Sequence, residues 1–268
     1  MLIIKIYHYS NTILKKLKNT FIRFLVHLHG LAELFGRSIG FLFKRPFYIS
    51  DTFEQMHTIG VGSLAIVLLT TAFTGMVLAL QSGYEMAVYG AKMYVGTLLS
   101  VSLVRELGPV LVALVVAGRV GAGITAELGS MTVTEQIDAM RALGTNPIKK
   151  LSCTRFIALV TMLPILVIIG DLTGVLGGLV IAVTNLGISA PFYWTTVIRS
   201  LTFNDLIMGI IKPVIFAMAI STVSCYMGFT ASGGTKGVGD ATTRSVVLSS
   251  ILIFALDFFA TNLFLALM

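Results

Sequence analysis

Seven charged side chains lie within or at the ends of long apolar runs, where a charge is costly. A central Arg, Lys or Asp in a membrane helix costs about 2.5–3.5 kcal/mol even on the mildest insertion scale, so such residues normally face a partner or a wet cavity. Spacing suggests two mutual pairs: Arg119 with Glu127, eight residues apart on one helix, and Lys212 with Asp257 on the last two runs. The full set is Arg105, Glu106, Arg119, Glu127, Asp171, Lys212 and Asp257.

Other uses of these charges remain open. Arg105 and Glu106 are adjacent, so their side chains point in different directions and cannot pair with each other. Asp171, which lies near Gly170 and Gly174, is placed either to cap or bend its helix or to join an ion relay. A relay through Asp171, Lys212 and Asp257 would be typical of a gradient-driven secondary transporter.

A second chemical signal is the charged stretch GSMTVTEQIDAMRALGTNPIKKL, residues 129–151. Thr132 and Glu135 have the spacing of a capping box, while Gly144 and Pro147 are stop signals, so we predict a short helix over residues 132–144, here called the loop helix. Asp138 and Arg141 can pair at i, i+3. Its predicted apolar face consists of Val133, Ile137, Met140 and Leu143. The pattern fits either a solvated helix on the membrane surface or a helix that docks into a partner's groove.

The composition places these features in a membrane. Of the 268 residues, 56% are hydrophobic and only 12% are charged, whereas soluble domains average about 25% charged. About 20 apolar residues suffice for a helical crossing. We therefore predict an all-α integral membrane protein with about five transmembrane helices, the second of them bent near Gly108-Pro109. The predicted spans are 59–81, 95–128, 156–184, 206–230 and 246–267.

The first 54 residues form a distinct basic region. Residues 12–29 predict an amphipathic interfacial helix, with Leu14, Leu17, Phe21, Phe24 and Leu28 at helical spacing between basic residues. Eight of the nineteen Lys and Arg fall within residues 1–45. With no interleaved aromatic surface, an anionic lipid surface is a better partner than nucleic acid, and no nucleic-acid partner is expected.

The loops predict the orientation of the chain, because cytoplasmic loops carry an excess of Lys and Arg. With five spans, the N-terminal region, loop 129–155 and the Gly-rich loop 231–245 share one side and hold fourteen basic residues. The loops on the other side hold two, Lys92 and Arg199. The N-terminus and the loop helix are therefore predicted to be cytoplasmic and the C-terminus to lie outside.

Several chemistries find no support in the sequence. The histidines are confined to the N-terminal segment and the two cysteines are far apart, so we expect neither a metal site nor a disulfide framework. No GxxxxGK[ST] motif and no Gly-Lys pair occur, so the chain has no phosphate-binding loop for ATP. We expect no enzyme and no cofactor in this chain.

The central run SLVRELGPVLVALVVAGRVGAGITAELGSMTVTEQIDAMRALGTNPIKKL resembles the MlaE-type (YrbE-like) permeases of phospholipid ABC transporters. Further matches are GMVLALQ at 75–81, TRF at 154–156 and ATTRSVVLSSILIFALDF at 241–258. The resemblance covers roughly residues 55–265, and residues 55–268 are accordingly interpreted as the permease domain. Residues 1–54 are similar only in their basic, amphipathic character.

The resemblance implies a function and a set of partners. The chain would be the permease subunit of a bacterial inner-membrane transporter that moves phospholipid, with ATP hydrolysed by a separate ABC ATPase subunit. In such permeases the loop helix is the coupling helix, and here that contact would fall on Glu135, Gln136, Asp138, Met140 and Arg141. A second copy of the chain and a periplasmic MCE-domain lipid-binding protein are also implied.

The resemblance further implies a lipid cavity between two copies of the permease, open toward the periplasm. Arg105 could hold a lipid phosphate there, because its planar guanidinium donates bidentately. Glu106 would stand beside it. Leu78, with Gln81 and Tyr84 beyond it on the first span, would flank the acyl chains.

Overall fold

The structure is a computed structural model that describes residues 22, 25–42 and 44–267. Within this part the chain is almost entirely helical and contains no β-strand, which confirms the all-α membrane class. Five helices are long and apolar enough to cross a membrane, and we call them spans 1 to 5. They are Ile49–Val88, Lys92–Val133, Ile148–Thr184, Phe203–Phe229 and Gly234–Phe264.

Each predicted span lies within or nearly within the corresponding helix, but most of the helices are longer. Spans 1 and 2 have 40 and 42 residues, about twice the length that a bilayer core requires. The Gly-rich stretch after span 4, predicted as a loop, mostly forms the first turns of span 5, which begins at Gly234. Gly233 and Gly234 adopt positive φ angles of 92° and 69° and so complete the reversal within a few residues.

Span 2 is one continuous helical rod, as predicted, but it contains two π-turns, at Leu103–Leu107 and Ala117–Gly121. Such turns break the regular hydrogen-bond ladder and often occur at functional sites. The first ends immediately before the predicted bend at Gly108-Pro109 and contains Arg105 and Glu106. The second contains Arg119. Every charged side chain in the middle of span 2 therefore sits on an irregular turn.

Spans 1 and 3 pack most closely, through glycine. A Cβ atom added to Gly75 would lie 1.9 Å from the carbonyl oxygen of Gly174, so the two backbones are in direct contact. Gly174 and Gly178 also receive the side chains of Leu103 and Leu99 from span 2. These glycines of span 3 are therefore positions of close helix packing.

The predicted interfacial helix over residues 12–29 lies mostly outside the described residues. The described helix runs over residues 25–42, shortly before Lys44-Arg45-Pro46. It packs on spans 3 and 4: His27 Nδ1 lies 2.9 Å from the hydroxyl of Tyr226, and Ser38 bonds Ser152 at 3.0 Å. We call it the N-terminal helix. It shares one end of the bundle with the loop helix.

Candidate functional site

Lys212 is the centre of a buried polar cluster that joins spans 2, 4 and 5. Its side chain is 0% exposed. The ammonium donates to the carbonyl oxygen of Arg105 at 2.8 Å, to Glu106 Oε2 at 2.6 Å and to Thr261 Oγ1 at 2.8 Å. Asp257 Oδ1 lies 2.9 Å from the same nitrogen. Because the three protons are already engaged, Asp257 contributes its charge without accepting a hydrogen bond. The predicted Lys212–Asp257 pair is confirmed.

The backbone of span 2 explains why Lys212 reaches a carbonyl. Pro109 has no N–H, so the carbonyl of Arg105, four residues earlier, loses its helical donor. A backbone carbonyl without a donor is expensive within a membrane. The ammonium of Lys212 replaces the missing N–H at 2.8 Å. The proline thus creates the acceptor that helps to fix Lys212 in place.

Arg105 has a partner that the sequence analysis missed. Its Nε donates to Asp205 Oδ1, and the Asp205 side chain is fully buried. Asp205 Oδ2 accepts from the backbone N–H and the hydroxyl of Thr202, each at 2.8 Å, which completes a capping box at the start of span 4. The Thr-x-x-Asp spacing at 202–205 was the available signal for this cap. No sequence pattern indicated that the same carboxylate would bind Arg105.

The cluster retains an open side. The Arg105 side chain is 33% exposed and that of Glu106 is 38% exposed. Only Nε of the guanidinium is engaged by the described residues, so both terminal nitrogens of Arg105 remain able to donate to an anionic ligand. With every group ionised, two cations stand among three carboxylates: Arg105 and Lys212 against Glu106, Asp205 and Asp257.

The predicted pairing of Arg119 with Glu127 is wrong. The two residues are separated by about 12 Å along the helix axis, and each finds a partner on another span. Arg119 Nη1 donates to Ser63 Oγ of span 1 at 2.9 Å. Glu127 Oε1 lies 2.7 Å from Nη2 of Arg155, at the start of span 3. This ion pair ties together the two helices from which the loop helix is suspended.

Asp171 stands apart from the cluster. It is 8% exposed and accepts no hydrogen bond from the described residues. Its Oδ1 lies against Gly108, where an added Cβ atom would come within 1.7 Å of it. It lines an apolar cavity of about 380 Å³ with Trp194 and Leu206. The structure therefore does not join Asp171 to Lys212 and Asp257 as a relay.

The residues proposed to flank acyl chains lie on the last turns of span 1. Leu78 packs against the same apolar cluster as Leu103, which precedes Arg105 by two residues. Gln81 and Tyr84 are exposed, Tyr84 by 62%. Neither forms a hydrogen bond or an ion pair with Arg105 in the described part of the chain.

The loop helix is shorter than predicted and covers Gln136–Ala142. The predicted capping box is wrong. Glu135 precedes the helix with φ of +59° and makes no capping bond, and the Thr132 hydroxyl donates to carbonyls of Leu128 and Gly228, at 2.8 and 3.1 Å. The stop is as predicted, since Gly144 adopts a left-handed φ of 75°.

The loop helix is anchored by one side and open on the other. Ile137 is 4% exposed and holds it to the bundle, while Leu143 is 84% exposed. Arg141 Nη1 binds Asp138 Oδ1 at 2.8 Å, as predicted from their spacing. Four of the five residues named for ATPase contact are exposed and Met140 is half-buried; the five are Glu135, Gln136, Asp138, Met140 and Arg141.

Comparison with known proteins assigns this architecture to a family. A family model described as "Permease MlaE" matches residues 52–263, most of the chain. The chain belongs to the MlaE permease family. A probable ABC transporter permease protein of Rickettsia prowazekii is 45% identical over 236 residues, which cover 88% of this chain and 91% of that protein.

Relatives of lower identity have more specific names. The intermembrane phospholipid transport system permease protein MlaE of Haemophilus influenzae is 37% identical over 209 residues, 78% of this chain and 80% of its own length. The chloroplastic protein TRIGALACTOSYLDIACYLGLYCEROL 1 of Arabidopsis thaliana is 36% identical over 229 residues, 85% of this chain and 65% of its own length. The chain is thus a multi-pass membrane protein of a transporter permease family.

Proposed function

We propose that this chain is the membrane subunit of an ABC transporter that moves phospholipid between the inner membrane and the periplasm or outer membrane. The main support for the proposal is the position of the loop helix. It exposes a charged surface, yet it is attached at both ends to membrane-crossing helices. A separate ATPase subunit, which binds the ATP, would receive this helix in a cleft and move it during hydrolysis.

The span ends provide a route from that contact to the membrane interior. The ion pair between Glu127 and Arg155 joins spans 2 and 3 on either side of the loop helix. Span 2 continues to Arg105 and Glu106, whose partners lie on spans 4 and 5. A displacement of the loop helix would therefore be delivered to the polar cluster by a continuous helix.

Arg105 is the residue that we propose for phosphate recognition. Its terminal guanidinium nitrogens can donate bidentately to a lipid phosphate while Nε remains on Asp205. Leu78, Gln81 and Tyr84 would contact the lipid on its apolar side. A shift of span 2 that tightens the bond from Arg105 to Asp205 would weaken phosphate binding and release the lipid.

A second copy of the chain and a periplasmic MCE-domain protein complete the proposed assembly. Only 11% of the most apolar stretch of span 5 is buried within one copy of the chain, against 50% in spans 2, 3 and 4. This exposed apolar surface supports a dimer. The exposed face of span 5 carries Phe254, Phe258 and Leu263. The basic N-terminal end would be cytoplasmic and the C-terminus periplasmic, in accordance with the distribution of Lys and Arg.

The test is to purify the tagged chain from its native membrane in mild detergent and to measure its composition by native mass spectrometry. We expect two permeases, two ATPases and bound phospholipid. The double change Glu135→Lys with Asp138→Lys should release the ATPases, because it reverses two exposed charges on the loop helix. Asp51→Lys with Glu54→Lys, which changes the net charge equally at the same end of the bundle, should retain them.

Two outcomes would contradict the proposal. If the wild-type chain carries no ATPase, the gradient-driven secondary transporter becomes the better interpretation, with the buried charges as its ion pathway. If both double variants lose the ATPase equally, the attraction is a general effect of charge and the loop helix is not its docking site.

A further inference from the structure

An apolar groove lies at the elbow between the N-terminal helix and span 1, at the same end of the bundle as the loop helix. It has a volume of about 330 Å³, at the lower end of the roughly 300–1,000 Å³ typical of ligand pockets. Span 1 contributes one helical face to it, and span 3 contributes the opposite wall. The lining includes Phe41, Phe47, Thr52, Phe53, Met56 and Ile157.

Basic side chains surround the mouth of this groove. Lys149 is one of its lining residues. Lys44 Nζ lies 5.8 Å from the centre of the Phe41 ring, and Lys150 Nζ lies 5.8 Å from that of Tyr48, both of them groove residues. Arg45 is adjacent in sequence and exposed. Three lysines thus lie at the entrance to an apolar groove, with Arg45 next to one of them in sequence.

The nearest acids of span 1 do not cancel this charge. Thr52, Phe53 and Met56 fall on the groove face at helical spacing. Asp51 and Glu54 lie on the other side of the helix, since each residue advances about 100° around the axis. The groove spans the point at which the charge-free part of span 1 begins, after Glu54, and we expect that point to lie at the level of the lipid headgroups.

From this complementarity we propose that the groove is a binding site for one anionic diacyl phospholipid of the leaflet at this end of the bundle. One acyl chain lies among the aromatic rings, and the phosphate is bound by Lys44, Lys149 and Lys150. The lipid holds the N-terminal helix against span 1. It is a separate site from Arg105, which lies about 42 Å along span 2 from the end of the bundle where the loop helix and the groove are found.

The experiment is a lipid titration of the delipidated, full-length chain, purified with whatever subunits it retains, and the bound lipid is measured by native mass spectrometry. The probes are dioleoylphosphatidylglycerol, which is anionic, and dioleoylphosphatidylcholine, which has no net charge. We expect a saturable site for the first lipid and none of comparable affinity for the second. Lys44→Ala with Lys149→Ala should weaken phosphatidylglycerol binding about 25-fold, since each lysine near an anionic lipid contributes about fivefold.

Two further variants isolate the site. Lys236→Ala with Arg244→Ala removes the same charge at the same end of the bundle and should leave binding within about twofold. Thr52→Trp fills the groove without changing the charge and should abolish the saturable site. Thr52→Trp also keeps the test decisive if the double lysine variant does not fold, and size-exclusion chromatography identifies that case.

The proposal is overturned if phosphatidylcholine binds as tightly, or if both the lysine and the tryptophan variants retain wild-type affinity. It is also overturned if glycerol 3-phosphate, a headgroup without chains, displaces the lipid at equal concentration, because the groove would then contribute nothing to the affinity. The proposal requires only that the chain lies in a membrane. Loss of this site with the ATPases still bound, or the reverse, distinguishes its failure from that of the proposed transport function.

Discussion

Replacement of Lys212 by methionine should be one of the most destabilising single changes in the chain. Methionine has a similar length but carries no charge, so the change leaves Glu106 and Asp257 without their shared, fully buried cation. It also removes the donor to the Arg105 carbonyl, which Pro109 has already deprived of its helical partner. Breaking a buried ion pair by removal of one partner typically costs 3–5 kcal/mol.

The magnitude follows from the contacts. Lys212 makes one charged hydrogen bond to Glu106, at 2.6 Å, and two hydrogen bonds to neutral acceptors. The charged ammonium is the donor in all three, and a hydrogen bond to a charged group is worth about 1.5–3 kcal/mol, so even the lower value gives a loss of roughly 4–5 kcal/mol. Such a loss lowers the ratio of folded to unfolded protein about a thousandfold.

The assay is resistance to denaturation in mixed detergent micelles, followed by circular dichroism, for Lys212→Met alone and combined with Glu106→Gln and Asp257→Asn. The neutralised cluster should recover much of the loss, because the two carboxylates no longer require a cation. If Lys212→Met is as stable as the wild type, or if the triple variant is as unstable as Lys212→Met, the cluster is not held together by this charge.

Two other predictions test the packing of the spans. Gly75→Ala should destabilise the bundle by about 1–3 kcal/mol or more, because the new methyl group would lie 1.9 Å from the Gly174 carbonyl oxygen. The control is Gly118→Ala, whose new methyl group would have nothing within 4 Å. It should change the stability by less than about 1 kcal/mol in the same detergent assay. Glu127→Leu should lower the stability by about 1–3 kcal/mol, because it leaves the buried guanidinium of Arg155 without its carboxylate. Adding Arg155→Met should restore part of this stability. Equal stability of the single and double variants would mean that the ion pair is unimportant.

Much of the fold was predictable because membrane solvation imposes a simple rule on the sequence. Long apolar segments identified the five spans, and Gly144 and the Asp138–Arg141 spacing identified features of the loop helix that the structure confirms. The ends were harder to predict. Hydropathy measures what lies in the bilayer core, whereas the helices continue beyond it, as the Gly-rich start of span 5 illustrates.

The candidate site was predictable only where two opposite charges were each isolated in an apolar segment. Lys212 and Asp257 had few alternatives within their apolar runs, and their contact is confirmed. Arg105 and Asp205 are separated by 100 residues, so their contact depends on how spans 2 and 4 pack, which no local pattern encodes. The errors at Arg119 and Glu127 have one cause: a partner on the same helix was assumed, but a neighbouring span supplied a better one.

The geometry of span 2 connects the two halves of the proposed function. Arg105 and the end of the span at Val133 are separated by about 42 Å, so an ATPase at the loop helix could act on the cluster only through the helix itself. The π-turn at Ala117–Gly121 lies between them, and there Arg119 binds Ser63 of span 1. A rigid helix held at that point would pivot about it, so that motion of the loop helix in one direction moves Arg105 in the other. Under the proposed function, this pivot converts closure of the ATPases into a change in the distance between Arg105 and Asp205, and hence into capture or release of a phosphate.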